Sequence, residues 1–282
     1  MSEIFALGVK PQFFSKKALG AVDETREADA LREENHMIFS PRCDFRCKFC
    51  FYGDNLHGGG NDGNFEDFIQ IVNFTLAEFS ELVDRLMQSG KSFKFTGGEI
   101  TLIKNLAHLL GVVKQKGGTV YLDTNGSMPD RVVKLVRDGL VDVLGISIKG
   151  LNEEESCANA GIPNSNLTWN NPLTTIKSSV REKADLVVPV TLVVDSETTD
   201  GRLHDFADLL SGLEVEGQRQ TRLKVNNFIP TRLTTGGLIP MNVDRLLQIV
   251  RSLVDRKPEW GGRITVVPSM EAVQNINSVI HF

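Results

Sequence analysis

The feature that most constrains the fold of this chain is a regular alternation of strand-like and helix-like segments from residue 36 onward. Residues 186–194 form a continuous apolar run rich in valine, which is typical of a parallel strand covered on both faces. Residues 76–86 instead place apolar side chains at helical spacing, between a capping Thr75 and a terminal Gly90. Counted from Met37, the pattern predicts six βα units and a last strand. Such alternation predicts an α/β fold with a parallel sheet and outer helices.

The length and composition are those of a globular protein. The chain has 282 residues, of which 41% are hydrophobic and 24% are charged. We expect a core domain over residues 36–282, preceded by an N-terminal extension over residues 1–35 that carries no recognisable chemistry. The net charge of −5 disfavours a broad nucleic-acid surface. The longest apolar runs are too short to span a bilayer and residues 1–20 lack the pattern of a leader, which predicts a cytoplasmic protein without a membrane partner.

Three cysteines in one short run carry the most specific chemical signal. Cys43, Cys47 and Cys50 follow the spacing C-x3-C-x2-C, with Phe49 directly before the last of them. Thiolates are the soft ligands that iron–sulfur clusters need, and three thiolates this close can converge on one metal centre. With three protein ligands, a four-iron cluster keeps one iron free to bind a substrate or cofactor. The run follows a predicted strand at 36–40, and ligands of parallel sheets bind at that end of a strand.

The cysteine run is also compatible with three alternatives to an iron–sulfur site. A structural zinc site could recruit Cys157, His36 or His57 as a fourth ligand, although zinc sites usually use paired knuckles and the chain has no second pair. A disulfide is disfavoured because the chain has only four cysteines and no secretory pattern. Chance clustering is the third alternative. A non-catalytic protein that binds zinc or an iron–sulfur cluster is therefore the candidate from another functional class.

Glycine and polar residues follow several of the predicted strands. Gly97, Gly98 and Glu99 come after the strand at 92–96, where two glycines let backbone approach a ligand closely and the carboxylate suits an ammonium group. The later strand ends carry, in chain order, Asp123, Thr124 and Asn125, then Ser147 and Lys149, then Asn226 and Asn227. Of the last two, we expect one asparagine to contact a ligand and the other to form a hydrogen bond within the sheet.

The cysteine run resembles the signature of the radical S-adenosylmethionine (SAM) superfamily, in which Phe49 takes the aromatic position. The resemblance implies a [4Fe-4S] cluster on Cys43, Cys47 and Cys50, whose free iron chelates the amino and carboxylate groups of SAM. It also implies a one-electron donor of the flavodoxin or ferredoxin type and reductive cleavage of SAM to methionine and a 5′-deoxyadenosyl radical. The implied fold is a partial (β/α)6 barrel similar to a TIM barrel.

Residues further along match other motifs of this superfamily. The triplet Gly97-Gly98-Glu99 resembles the GGE motif that contacts the SAM amino group. Residues 121–126 and 141–152 are similar to segments of the glycyl-radical-enzyme activating enzymes, such as the pyruvate formate-lyase activating enzyme. By that likeness Lys149 pairs with the SAM carboxylate, and Ser147 stands where those enzymes have an aspartate. The remaining residues expected at the cofactor are Asp123, Thr124, Asn125 and Asn227.

The resemblance implies hydrogen-atom abstraction but leaves two kinds of target open. One is a small molecule or peptide, favoured by a glycine-rich insertion at 56–63 and by the lack of a glycine-proline-glycine segment before the cysteines. The other is a backbone glycine of a partner protein, favoured by the likeness of residues 121–152 to the activating enzymes. Further predictions are a surface helix at 24–34 and an inert Cys157. Two alternatives stay open: residues 56–63 form either a surface insertion or a lid over the substrate, and Arg232 is either solvated or holds an anionic substrate.

Overall fold

A computed structural model describes residues 5–10, 35–40, 42–50, 70–230, 237–268 and 280–282 of this protein. The predicted surface helix at 24–34 and the glycine-rich segment 56–63, together with His57 and Arg232, lie outside the described residues. Among the helices that the structure describes, none combines the length and the apolar character needed to cross a membrane.

Seven strands run parallel in one sheet. Each is hydrogen-bonded to the next in chain order, so the first and last lie farthest apart along this part of the sheet. Their carboxyl ends all lie at one edge, which is where the cysteines and most of the predicted site residues follow. The strands are β2 (Asn35–Ser40), β4 (Ser92–Gly97), β5 (Thr119–Thr124), β6 (Val143–Ile148), β7 (Val188–Val194), β8 (Thr221–Asn227) and β9 (Ile264–Val267).

Helices connect each parallel strand to the next. At the start of the first helix, the Thr75 hydroxyl accepts a hydrogen bond from the Glu78 N–H while the Glu78 carboxylate accepts one from the Thr75 N–H, which is a capping box. The predicted six βα units, last strand and partial (β/α)6 barrel are confirmed. The described helices are α1 (Leu76–Leu86), α2 (Leu106–Gln115), α3 (Pro129–Arg137), α4 (Glu153–Ala160), α5 (Asn171–Glu182), α6 (Asp200–Ser211) and α7 (Val243–Arg256).

The sheet also contains strands that the sequence pattern does not predict. They are β1 (Phe5–Lys10), β3 (Gln70–Phe74) and β10 (Ile280–His281). β1 pairs antiparallel with both β2 and β3, and β10 pairs antiparallel with β9. Residues 5–10 therefore belong to the same sheet as the core, although they fall within the predicted N-terminal extension. These pairings cover both edges of the parallel sheet, which would otherwise present unpaired backbone groups.

The two faces of the sheet differ in chemistry. On β4, Phe93 and Phe95 are fully buried in the main hydrophobic core beneath the helices. Lys94 lies between them and points to the opposite face, where Tyr121 and Val143 form a separate apolar cluster. This second face is the interior of the partial barrel. Its polar side chains therefore lie below the strand ends that carry the cysteine loop.

Candidate active site

The cysteine loop, residues 42–50, follows β2 at the carboxyl edge of the sheet. Its three cysteines are half-buried free thiols. The Phe45 N–H donates to Sγ of Cys43 over 3.4 Å, and the Cys50 N–H donates to the Cys47 carbonyl over 2.9 Å. Burial raises the pKa of Cys43 to about 12, and it also raises the pKa of Cys47 against the opposing charge of Lys149. A bound metal would supply the positive charge that these thiols need to ionise near neutral pH.

Two of the side chains considered as a fourth zinc ligand, His36 and Cys157, have other partners in the structure. Nε2 of His36 lies 3.2 Å from the Gly90 carbonyl oxygen, at the start of β2 and away from the cysteine loop. Sγ of Cys157 lies 3.2 Å from the Thr168 hydroxyl. In the described part of the chain, no three His, Cys, Asp or Glu side chains form a group that could hold one metal ion. A cluster binds each cysteine through a different iron, so three thiols on one loop fit it without a fourth protein ligand.

Gly98 brings the end of β4 against the backbone of the cysteine loop. The Gly98 N–H donates to the Ser40 carbonyl over 2.9 Å, and the Glu99 N–H donates to the Arg42 carbonyl over 2.6 Å. A Cβ atom at position 98 would overlap the Arg42 carbonyl oxygen and would lie 2.5 Å from the Arg42 carbonyl carbon. This glycine therefore lets β4 approach the cysteine loop closely, and the predicted approach of its backbone to a ligand stays a prediction.

The Glu99 carboxylate holds the ends of β4 and β5 together. It is completely buried and accepts hydrogen bonds from the Thr101 N–H at 3.0 Å, the Thr101 hydroxyl, the Thr124 hydroxyl at 2.6 Å and the Asn125 N–H at 2.7 Å. Burial raises the pKa of Glu99, and these hydrogen bonds oppose the increase. Glu99 thus organises the frame beneath the cysteine loop. Its predicted contact to the SAM amino group stays a prediction.

Asp44 ties the cysteine loop to the segment after β5. Its Oδ1 accepts a hydrogen bond from Nδ2 of Asn125 and its Oδ2 accepts one from the Ser127 hydroxyl, each over 2.6 Å. Sequence reasoning missed both Asp44 and Ser127. The only signal was a polar residue inside the cysteine run and another just beyond a strand end, and nothing in the sequence pairs the two.

The carboxyl end of α4 supports the other half of the cysteine loop. Its last carbonyls accept hydrogen bonds from the Arg46 N–H, over 2.8 Å to Ala160, and from the Lys48 N–H, over 3.0 Å to Asn159. Gly161 ends the helix with φ of 65°, and a Cβ atom there would lie 2.5 Å from the Arg46 carbonyl oxygen. Only a glycine combines this backbone conformation with this contact. The loop is therefore held from three directions: by β4, by the segment after β5 and by α4.

A pocket of about 490 Å³ opens between the cysteine loop, the start of α4 and the end of β7. Its wall includes Lys48 and Phe49 of the cysteine loop and Arg202 of α6. Nζ of Lys149 lies 5.8 Å from the centre of the Phe49 ring, and its charge acts on Cys47. The predicted lysine therefore lies beside Phe49 of the cysteine loop. Phe49 also lines the pocket, whose volume suits a cofactor.

Asp123 lies on the interior face of the barrel in an ion pair. Its Oδ2 atom lies 3.1 Å from Nζ of Lys94 and accepts a hydrogen bond from the Thr96 hydroxyl over 3.1 Å. Burial alone would raise the pKa of Asp123, but the charges of Lys94 and Lys224 outweigh it and lower the pKa below its ordinary value. Gly145 leaves room for this group, because a Cβ atom there would lie 2.8 Å from Oδ1 of Asp123. The predicted role of Asp123 at the cofactor stays a prediction.

Comparison with known proteins assigns the chain to a family. The family model of the radical SAM superfamily matches residues 37–210, which is more than half of the chain. The chain belongs to the radical SAM superfamily. Proteins of this superfamily use a [4Fe-4S] cluster and SAM, so the two predicted cofactors are confirmed at the level of the family.

Individual relatives of this radical SAM protein have varied functions. Fe-coproporphyrin III synthase of Methanosarcina barkeri is 28% identical over 114 residues, which are 40% of this chain and 26% of that protein. A protein of Methanocaldococcus jannaschii named as a glycyl-radical enzyme activating enzyme is 24% identical over 132 residues, which are 46% of this chain and 47% of that protein. The chain therefore spans less than half the length of each of these relatives.

Solved structures of other proteins share the fold. Streptococcus suis SuiB, solved bound to SAM, superposes with a TM-score of 0.61 at 13% identity, over 80% of this chain and 48% of that chain. The same protein solved with its precursor peptide SuiA superposes with a TM-score of 0.58 at 14% identity, over 79% of this chain and 46% of that chain. These likenesses show the architecture alone.

The two asparagines at the end of β8 have different surroundings. Asn227 is buried, donates to the carbonyls of Met241 at 2.8 Å and Pro268 at 3.0 Å, and accepts from the Met241 N–H at 2.9 Å. Oδ1 of Asn226 is buried without a hydrogen-bond partner among the described residues. The structure thus gives Asn227 the structural hydrogen bonds, and its place at the cofactor stays a prediction. Ser147 lies on the interior face beside Thr191 of β7, and its place at the cofactor is likewise a prediction.

Proposed function

We propose that this chain is a radical SAM enzyme that binds its cluster through Cys43, Cys47 and Cys50 and abstracts a hydrogen atom from a small-molecule or peptide substrate. The observation that carries the proposal is the cysteine loop itself. Three free thiols lie on one loop that β4, the segment after β5 and α4 hold at the carboxyl edge of a parallel sheet. When bound, the reduced cluster and SAM supply the 5′-deoxyadenosyl radical that abstracts the hydrogen atom.

The residues around the loop have separable roles in this proposal. Lys149 is suited to neutralise the SAM carboxylate, because its ammonium group is a compact charge beside Cys47. Phe49 and the adjoining pocket of about 490 Å³ are suited to the adenosine part, since the pocket joins an aromatic ring to polar side chains. Gly97 at the end of β4 and Gly98 after it are proposed cofactor residues, although the Gly98 N–H already donates to the Ser40 carbonyl. The proposed cofactor residues also include Glu99, Asp123, Thr124, Asn125, Ser147 and Asn227.

The partners in this proposal are a one-electron reductant and a substrate. The reductant is expected to be a flavodoxin or ferredoxin, because the cluster must receive one electron in each cycle that consumes SAM. A peptide is one substrate class to test, because SuiB shares this fold and has been solved with its precursor peptide. The barrel interior beneath the cysteine loop carries Lys94, Asp123 and Lys224, so a polar substrate suits it better than an apolar one.

A glycyl-radical enzyme activating enzyme is the second candidate. It is supported by the 24% identity over 132 residues between this chain and the protein of Methanocaldococcus jannaschii that is named as such an enzyme. The substrate would then be a backbone glycine of a larger partner enzyme. The two candidates differ in their product, because activation leaves a stable radical on the partner protein that electron paramagnetic resonance detects. A small-molecule or peptide reaction leaves no such signal.

The test is anaerobic reconstitution with iron and sulfide, followed by dithionite and SAM. We expect a brown protein with cluster absorption and release of 5′-deoxyadenosine and methionine. Changing Cys43, Cys47 or Cys50 to alanine should abolish both. Cys157→Ala should retain the cluster, because the Cys157 thiol lies within hydrogen-bond distance of the Thr168 hydroxyl instead. A folded wild-type protein that neither assembles a cluster nor cleaves SAM would refute the proposal in favour of a non-catalytic binding role.

A further inference from the structure

We propose that Asp44 is a positioning residue of the cluster, whose carboxylate both fastens the cysteine loop to the segment after β5 and places a negative charge beside Cys43. This inference rests on the proposed function, since it concerns the cluster that Cys43 helps to hold. Asp44 is not among the residues that the superfamily motifs predicted. It is assigned here from its contacts in this chain.

The fastening is built from rigid partners. Asp44 accepts hydrogen bonds from Asn125 and Ser127, which are 5% and 3% exposed. Oδ1 of Asn125 in turn accepts a hydrogen bond from the Ser127 N–H over 2.9 Å, and the Ser127 carbonyl accepts one from Nδ2 of Asn171 over 2.7 Å. Both donors to Asp44 are therefore held in place by other contacts. The carboxylate meets a preformed pair of donors, which reduces the entropy lost in fixing the loop.

A second connection closes the network around the first cysteine. The Asn125 N–H donates to the Glu99 carboxylate, and the Glu99 N–H donates to the Arg42 carbonyl. Arg42 and Asp44 lie on either side of Cys43, so both neighbours of this cysteine are tied to the same frame. Cys43 consequently has less freedom than a loop residue fixed at one point.

The same carboxylate carries charge close to the sulfur. Oδ1 of Asp44 lies 4.0 Å from Sγ of Cys43. A negative charge at this distance disfavours the addition of an electron to a cluster on that sulfur, because reduction makes the cluster more negative. Lys149 has the opposite sign and acts on Cys47. Asp44 of the loop thus places an anion beside the first cysteine, while Lys149, just after β6, places a cation that acts on the second. The two side chains set the reduction potential in opposite directions.

Three substitutions separate the fastening from the charge. Asp44→Asn removes the charge and keeps both contacts, because the amide oxygen can accept from Asn125 and the amide N–H can donate to the Ser127 hydroxyl. Asp44→Ala removes charge and contacts together. Ser127→Ala removes one contact and keeps the charge. Asp205→Asn is the matched control, since Asp205 is exposed on α6 and its change alters the formal charge equally.

The experiment is a redox titration of reconstituted protein, monitored by electron paramagnetic resonance, with iron and sulfide content measured on each variant. The titrated step adds one electron to the cluster from dithionite. Asp44→Asn should keep full cluster content and raise the ratio of reduced to oxidised cluster about tenfold at a fixed potential, which is about 59 mV for one electron. Asp44→Ala and Ser127→Ala should lose cluster faster than wild type in the presence of an iron chelator. Asp205→Asn should match wild type in both measurements.

Two results would overturn the inference. If the redox titration of Asp44→Asn coincides with those of wild type and Asp205→Asn, the charge of Asp44 does not affect the reduction potential. If the cluster survives chelation equally well in Asp44→Ala and wild type, the contacts of Asp44 do not fasten the loop. Either result, obtained with a wild-type protein that cleaves SAM, leaves the proposed function intact. If wild type assembles no cluster, the proposed function itself fails.

Discussion

Replacing Gly98 with alanine is the sharpest test of how this chain builds its cysteine loop. The new Cβ atom would overlap the Arg42 carbonyl oxygen and would lie 2.5 Å from the Arg42 carbon and 3.1 Å from the Cys43 nitrogen. These are backbone atoms, so no side chain can rotate away. The cysteine loop must move away from the end of β4.

The expected loss of stability follows from two terms. Overpacking a closely fitted site costs about 1–3 kcal/mol. Displacement of the loop also weakens the hydrogen bonds from Gly98 N–H to Ser40 and from Glu99 N–H to Arg42, each worth about 1 kcal/mol. The movement of the loop that relieves the overlap is the same movement that stretches these hydrogen bonds. The two costs therefore do not add in full. We expect a decrease of about 2–4 kcal/mol in the free energy of unfolding.

Gly111→Ala is the matched control, because a Cβ atom at that position of α2 meets nothing within 4 Å. An alanine inside a helix should stabilise the protein by about 0.5–1 kcal/mol relative to glycine. Urea unfolding of the metal-free protein under reducing conditions measures both effects, and the retained iron after reconstitution reports the loop. If Gly98→Ala unfolds at the same urea concentration as wild type and binds iron equally, then the close contact between β4 and the cysteine loop is wrong.

Three further predictions follow from the frame and the charges around the loop. Glu99→Gln should lower the free energy of unfolding by about 1–3 kcal/mol, because an amide nitrogen cannot accept the hydrogen bond from the Asn125 N–H. Glu81→Gln, on the exposed side of α1, should change it by less than about 0.5 kcal/mol, and urea titrations measure both. Lys149→Met should raise the KM for SAM without changing iron content, which steady-state release of 5′-deoxyadenosine and iron analysis can measure together. Asp123→Asn should lower stability at pH 7 by about 2 kcal/mol, because Lys94 loses its carboxylate partner in a mostly buried site. Lys94 and Lys224 lower the pKa of Asp123 despite its burial, so the ionised carboxylate stabilises the fold above about pH 4, the ordinary pKa of an aspartate. The difference in unfolding free energy between Asp123→Asn and wild type should therefore narrow as the pH falls through the lowered pKa of Asp123 in the folded protein. Urea unfolding at several pH values measures this difference.

Each of these predictions has a clear contrary result. Equal effects of the substitutions at positions 99 and 81 would mean that the four hydrogen bonds to the buried carboxylate do not fix the strand ends. An unchanged KM for SAM in the lysine variant would remove that side chain from the SAM site. A loss of stability in Asp123→Asn that stays the same in acid would mean that the ionised carboxylate does not contribute through its charge.

Much of this protein could be predicted from local patterns. The six βα units are predictable because hydrophobic periodicity and glycine or proline boundaries are local properties, and covered parallel strands such as β7 are apolar along their whole length. The cysteine ligands and Phe49 are predictable because their spacing lies within one short loop. β1 and β3 are not predictable in this way, because what defines them is pairing with a distant strand.

The sequence by itself determined the parallel α/β architecture, the superfamily signature and the strand ends at which polar residues gather. Only the tertiary structure decided what those residues contact. Glu99 lies in a motif that predicts contact with the cofactor, yet its carboxylate accepts four hydrogen bonds from residues 101, 124 and 125. Asp44 has no motif, yet it fastens the cysteine loop to Asn125 and Ser127, more than 80 residues away in sequence. The physical reason is that a parallel sheet brings the ends of successive strands together across long stretches of chain, and hydrogen bonds depend on that placement rather than on spacing in the sequence.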